Sequence, residues 1–262
     1  MSLAEVFEKT RAEGRGALVG YLPAGYPTVE GSADLLTGMI DAGCDVVEVG
    51  VPYSDPVMDG PVIQAAATAA LSAGFRLRDL FTVVERVSSA GGTAVVMTYW
   101  NPVFHYGVDR FARDLAAAGG QGIITPDLIP DEGADWLEAS SAHGLDRIFL
   151  VAPSSTEERI ASTAAATTGF LYATAVMGVT GARDQVGSGA AALVARARAH
   201  TSLPIGVGLG VRSGEQAAEV AGFADAVIVG SAFVSQAADG VAQVQTLAAE
   251  LAEGVRRPLV AR

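Results

Sequence analysis

Short runs rich in valine, isoleucine and leucine alternate along the chain with alanine-rich stretches whose apolar positions recur at helical spacing. This is the rhythm of repeated βα units, in which a crossover helix follows each strand and neighbouring strands run parallel. Eight runs read as strands: Ala17 to Leu22, Asp45 to Val49, Ala94 to Thr98, Gly122 to Ile124, Arg147 to Val151, Phe170 to Ala173, Pro204 to Val207 and Ala226 to Val229. Helices are predicted over Val29 to Ala42, Leu77 to Ala90, Val108 to Ala118, Ala134 to His143, Thr156 to Thr167, Ala190 to Ala199, Gly214 to Ala221 and Val241 to Ala252. The amphipathic opening, MSLAEVFEKTRAEGRG, predicts an extra N-terminal helix. Strands that are continuous apolar runs rather than alternations suit a sheet covered on both faces.

A doubly wound sheet shares this rhythm. Eight units, a length of 262 residues and a late pair of glycine-rich loops favour a (β/α)8 TIM barrel instead. No linker or composition break divides the chain, so residues 1–262 are expected to form one domain. In a barrel, chemistry gathers where strands end and the following loops begin.

Composition narrows that chemistry. Half the residues are hydrophobic and 18% are charged, enough to bury a sizeable core. The formal charge is -12, from 29 acidic and 17 basic residues, with no basic run to track a phosphate backbone or an anionic bilayer. Apolar segments such as Gly169 to Val179 stop short of the roughly 18 residues of a membrane span, and the start lacks a signal-peptide core. A soluble cytoplasmic protein is expected.

Scarce residue types exclude more. Cys44 is the lone cysteine, in a helix-to-strand context that suits a small buried hydrophobe. Lys9 is the only lysine and sits in the N-terminal stretch, far from any strand end. Schiff-base chemistry, a lysine-held pyridoxal cofactor and a Walker-type phosphate loop are thereby excluded in this chain. The histidines, His105, His143 and His200, are scattered, and no metal site is expected of them.

Two carboxylates remain. Glu48 interrupts the apolar second strand, where an ionised carboxylate is costly unless it is paired or its pKa rises. A salt bridge to an arginine would explain it structurally; a proton-transfer role at the strand's end would explain it chemically. Asp59 follows in the loop VPYSDPVMDGP, whose three prolines stiffen it and suit it to holding a short acid in place. A turn or helix cap is the structural alternative for Asp59, and Asp55 shares it.

The last two strands run into GVGLGVRSG and VIVGSAF, which puts Gly208, Gly210, Gly230 and Ser231 at the usual phosphate position of a barrel. Backbone dipoles there can hold an anion despite the negative net charge. The loop MGVTGARDQVGSG suits a mobile lid.

Taken together, VEVGVPYSDPVMDGPVIQ, TYWNPVFHYG, GVTGARD and IVGSAF closely resemble the α subunits of tryptophan synthase, over nearly the whole chain. The resemblance implies retro-aldol cleavage of indole-3-glycerol phosphate to indole and glyceraldehyde 3-phosphate, a carbon–carbon lyase reaction of tryptophan biosynthesis. It assigns proton movement at the indole C3 and the glycerol hydroxyl to Glu48, and acceptance of the indole N–H to Asp59. It sets Tyr172 beside the substrate and Thr180 in the lid near Asp59. Gly181, Gly210, Gly230 and Ser231 are expected to hold the phosphate, while Tyr21, Met97, Tyr99 and Leu209 shape the indole pocket. Several members carry phenylalanine where this chain has Tyr21 and Leu209. The resemblance also implies docking on a β subunit that carries pyridoxal phosphate, as an α2β2 assembly, with Pro52, Asp55, Asn101 and Asp127 at or near the contact. No cofactor is expected in this chain itself.

Rival barrel enzymes fit less well. Sugar-phosphate isomerases of the histidine and tryptophan pathways usually place an Asp at the end of strand one, which here reads Ala17-Leu18-Val19-Gly20-Tyr21-Leu22. Indole-glycerol phosphate synthase relies on lysines that this chain lacks. A regulatory subunit that only binds the phosphate ligand would not need both Glu48 and Asp59.

Overall fold

The computed structural model describes residues 1–174 and 188–257. Each predicted strand forms, and together they make one all-parallel sheet: β1 (Ala17–Pro23), β2 (Val46–Gly50), β3 (Ala94–Met97), β4 (Gly122–Ile124), β5 (Asp146–Ile148), β6 (Leu150–Val151), β7 (Leu171–Thr174), β8 (Ile205–Gly208) and β9 (Ala226–Val229). The order β5-β4-β3-β2-β1-β9-β8-β7-β6 begins and ends on two segments separated only by Phe149. On one side the Ile148 carbonyl accepts from Thr125 N–H beyond β4, at 3.4 Å; on the other the Phe149 carbonyl accepts from Tyr172 N–H of β7, at 3.1 Å. Counted as a single strand, β5 and β6 close an eight-stranded barrel, and the doubly wound alternative falls away.

Twelve α-helices cover or cap the barrel among the described residues, nine of them expected from the sequence and three not. The expected set comprises α1 (Leu3–Ala12), α2 (Val29–Asp41), α4 (Leu77–Ser89), α6 (Val108–Ala117), α7 (Ala134–Ala142), α8 (Glu157–Ala166), α9 (Ser188–Arg198), α10 (Gly214–Ala221) and α12 (Val241–Val255). The additional ones are α3 (Pro61–Ser72), α5 (Trp100–Tyr106) and the short α11 (Ser231–Ala237). For α3 the signal was present: Pro61 stands at its first position, where a missing N–H costs nothing, and Ile63, Ala66, Ala67 and Ala70 make one buried helical stripe. No described helix is long and apolar enough to cross a membrane.

Strand parity divides the core into two. Alternate side chains, among them Val19, Val46, Val95, Ile124 and Phe170, fill the barrel interior, while the intervening ones pack outward against the helices. α1 plugs the N-terminal end: Leu3, Val6 and Phe7 join the inner cluster, and the Phe7 and Phe170 rings meet with centroids 5.6 Å apart. A capping box between Ser2 and Glu5 starts this helix. Lys9 is exposed on α1, at the end of the barrel opposite the strand C-termini. Cys44 is buried, as expected, and burial pushes its thiol up.

Beside this plug, Arg15 donates two 2.8 Å hydrogen bonds to Asp45, which also accepts from Leu18 N–H at 2.9 Å. The bidentate pair locks the entry of β1 to the entry of β2, with side-chain exposures of 5% and 11%. Removing one partner of a buried pair strands the other charge, which costs about 3–5 kcal/mol, whereas an exposed pair is worth roughly 0–1 kcal/mol. Arg15 also pairs with exposed Glu13 at 2.6 Å, so the charge left stranded is that of Asp45: Arg15→Ala is expected to lower unfolding free energy in urea by about 3 kcal/mol or more. Asp34→Ala, which breaks the exposed pair with Arg86, should change it by less than about 1 kcal/mol; equal effects would refute this account of the Arg15 clamp.

Candidate active site

The inward-facing positions of β1 and β2 climb the barrel in register, Val19 beside Val46 and then Tyr21 beside Glu48. Glu48 is thus the first polar side chain above an apolar interior. It is 1% exposed, and its Oε1 atom is buried without a hydrogen-bond partner among the described residues, none of which offers that oxygen a salt bridge. Desolvation, with nothing opposing it, pushes the carboxyl up to about 8 from an ordinary 4.5. At neutral pH the resting side chain is chiefly the protonated acid.

Asp59 reaches the same cavity from the loop after β2. Gly60 is the N-cap of α3 and Pro61 its first residue, so the rigid helix start fixes the residue just before it. The Asp59 carbonyl accepts from Gln64 Nε2 at 2.7 Å, and its side chain accepts at Oδ1 from the Tyr99 hydroxyl at 3.1 Å. Burial raises its pKa, and the Tyr99 bond opposes that rise. The same hydroxyl accepts from Met58 N–H at 3.0 Å. Tyr99 therefore does more than shape the pocket: it ties both backbone and side chain of the acid-bearing loop to the end of β3. Burial foremost lifts the Tyr99 phenol to about 12, so it stays a donor.

Glycines on neighbouring strands make room for the two inward tyrosines. A Cβ at Gly50 would overlap the Tyr21 hydroxyl, and one at Gly208 would crowd the Tyr172 hydroxyl. Burial raises both phenols well above their ordinary range; nearby carboxylates add to it, Asp59 before Glu48 for Tyr21 and Glu48 for Tyr172. Both rings remain neutral walls of the cavity. Met97, Tyr99 and Leu209 complete the expected apolar side.

The ends of β8 and β9 bring Gly208, Gly210, Gly230 and Ser231 to the same cavity. Gly210 has φ +75°, a conformation that a side chain would strain. Gly230 caps α11, which starts at Ser231. The first N–H groups of a helix lack intrahelical acceptors, so this corner offers donors to an anion. Thr180 and Gly181 lie outside the described residues, as do positions 177–187 of the expected lid.

Leu150, Thr174 and Ile228 also line the cavity and were not anticipated. Strand parity points to them: Leu150 pairs with Tyr172, Thr174 lies two beyond Tyr172, and Ile228 two before Gly230. Ile63 was missed together with its helix. Of the positions expected at a partner contact, Asp55, Asn101 and Asp127 are exposed, whereas Pro52 is buried within the chain. Asp127 caps α5 by accepting from Trp100 N–H at 2.9 Å. His105, His143 and His200 lie away from this cavity, the latter two paired with Asp109 and Glu157 on the helical surface.

Comparison with known proteins agrees with this geometry. Residues 7–259 match the family described as tryptophan synthase alpha chain. The chain is 65% identical over 259 residues to the tryptophan synthase alpha chain of Nocardia farcinica, covering 99% of this chain and 97% of that one. It is 60% identical to a chain of the solved Mycobacterium tuberculosis tryptophan synthase, with a TM-score of 0.94 and coverage of 97% and 98%. A tryptophan synthase alpha subunit from Legionella pneumophila, at 30% identity, still superposes with a TM-score of 0.87, covering 97% of this chain and 98% of that one. The chain belongs to the tryptophan synthase alpha chain family.

Proposed function

We propose that the cavity binds indole-3-glycerol phosphate and cleaves it to indole and glyceraldehyde 3-phosphate, as a carbon–carbon lyase of tryptophan biosynthesis. The observation that carries this reading is Glu48: a neutral, desolvated acid with an unpartnered oxygen, in one cavity with Asp59. Glu48 gives its proton to the indole C3, which turns the ring into a leaving group carrying positive charge at nitrogen. Asp59 accepts the N–H and offsets that charge. The Glu48 carboxylate then takes the glycerol hydroxyl proton as the carbon–carbon bond breaks; its electrons return to the ring and the aldehyde forms. One proton leaves Glu48 and one returns, so the acid is regenerated.

Tyr172 and Tyr21 wall the reacting centre, with Met97, Tyr99 and Leu209 against the indole. Gly210, Gly230 and Ser231 hold the phosphate, and the family resemblance assigns Gly181 to the phosphate and Thr180 to the neighbourhood of Asp59. The whole chain, residues 1–262, acts as one cytoplasmic domain. Its partner is a β subunit in an α2β2 assembly, to which indole is passed; pyridoxal phosphate belongs to that subunit and no cofactor is assigned here. Supporting a contact on the β2, β3 and β4 side of the barrel mouth, Val57 is 71% exposed and Phe104 61%, beside exposed Asp55, Asn101 and Asp127. Pro52 supports that surface from beneath.

Glu48→Gln and Asp59→Asn are each expected to slow indole release about 10^2- to 10^4-fold, as loss of a proton-transfer or charge-stabilising group does. Glycerol 3-phosphate should bind both variants nearly as it binds the parent. Near-normal turnover by Glu48→Gln would rule out its proton role. Adding a purified β subunit should accelerate indole release by the parent chain; an unchanged rate would count against the partnership.

Burial of Glu48 also has a sign in stability. The folded chain holds this proton up to about pH 8, while the unfolded chain releases it near 4.5. Between these values the folded state binds more protons, so this group's contribution falls as pH rises. The unfolding free energy of Glu48→Gln minus that of the parent should therefore increase by about 3 kcal/mol from pH 5 to pH 8. A difference that does not change with pH would show that Glu48 is already ionised in the fold.

A further inference from the structure

Among the described residues Asp59 is held by one side-chain bond, from Tyr99, and Tyr99 is itself braced. The Tyr53 ring lies against the Tyr99 ring, with centroids 5.2 Å apart and planes inclined by 37°. The Tyr53 hydroxyl accepts a 3.1 Å hydrogen bond from Asn101 Nδ2. Asn101 is the second residue of α5, whose first residue is fixed by the Asp127 carboxylate on Trp100 N–H. Tyr53 and Asp59 belong to the same proline-stiffened loop, so the loop folds back on itself through Tyr99. One end grips the ring face and the other grips the hydroxyl.

The geometry points to Tyr53 as a positioning residue for the lyase reaction: anchored by Asn101, its ring holds Tyr99 in the pose that presents Asp59 to the indole N–H. This rests on the role given to Asp59 above. Tyr99 can swing about its Cα–Cβ bond, and such a swing would carry its hydroxyl away from both Asp59 Oδ1 and Met58 N–H. An aromatic neighbour in tilted contact restricts that swing, and the Asn101 bond keeps the neighbour from leaving. The sequence motifs PYSDP and TYWN thus form a single brace. Tyr53 touches no reacting atom itself, being absent from the cavity lining.

The test measures indole release by the full chain without a β subunit, so that altered docking does not enter. Tyr53→Ala is expected to lower kcat about 10-fold or more with KM changed less than about 2-fold, since misplacing a catalytic group by 1 Å costs up to about 10^2. Tyr53→Phe and Asn101→Ala, which each remove one end of the same bond, should each lower kcat about 2- to 3-fold, and the double variant should match either one alone. In an Asp59→Asn background, Tyr53→Ala should cause no further loss. An unchanged kcat in Tyr53→Ala, additive loss in the double variant, or a further fall in the Asp59→Asn background would each overturn the brace. If Asp59→Asn alone kept full activity, the role of Asp59 would fail instead. Far-ultraviolet circular dichroism and urea unfolding confirm that each variant compared is folded.

Discussion

A carboxyl group deprived of water at the top of an apolar barrel interior is the constraint on which the rest of this structure turns. Every inward position below Glu48 on β1 and β2 is aliphatic, so no dipole in the interior compensates an ionised oxygen there. The side chain answers by keeping its proton. The opposite end of the same barrel makes the contrast: Asp45, three residues earlier, is also largely buried, yet two guanidinium bonds and a backbone N–H satisfy it. One carboxylate is structural because it is paired; the other is chemically available because it is not.

That availability would be of little use without neighbours that stay neutral and fixed. Tyr21 and Tyr172 cannot ionise at any ordinary pH, so they add no competing charge beside Glu48. Their hydroxyls find room only because Gly50 and Gly208 lack a Cβ. A tyrosine on one strand therefore depends on a glycine on the next, and neither can be understood from its own strand. The resulting cavity has apolar walls, an acid held neutral and a second acid held by a phenol.

How much of this was legible in the chain depended on how local each signal is. Barrel strands announce themselves because burial on both faces demands continuous apolar runs, and Glu48 stands out because it breaks one. The glycine corner at Gly210 and Gly230 was legible for a similar reason, since backbone that must approach an anion excludes side chains. Ile63 was not found, because α3 is alanine-rich and its stripe was absorbed into a loop reading dominated by three prolines. The division of the fifth barrel strand at Phe149 was equally hidden, being a property of which neighbour each carbonyl faces. The Tyr99 bond to Asp59 spans 40 residues, and the brace from Asn101 to Tyr53 spans 48. Such pairings arise only when β2 and β3 lie side by side, which no spacing along one segment encodes.

The net charge of -12 looks ill-suited to a phosphorylated ligand, and the arrangement of the mouth resolves this. Acidic side chains cluster on helices and loops exposed to water, where screening over about 10 Å at moderate salt blunts them. In the proposed site the anion corner relies instead on backbone N–H groups at Gly210, Gly230 and Ser231, whose dipoles would act at contact distance inside a partly desolvated cavity. Fixed dipoles also leave Glu48 undisturbed: a lysine or arginine placed nearby to attract the phosphate would stabilise the carboxylate and lower its pKa, and the acid would lose its proton before the indole ring could receive it. In the proposed mechanism, recognition of the anion by neutral groups is thus a condition for a neutral acid in the same cavity.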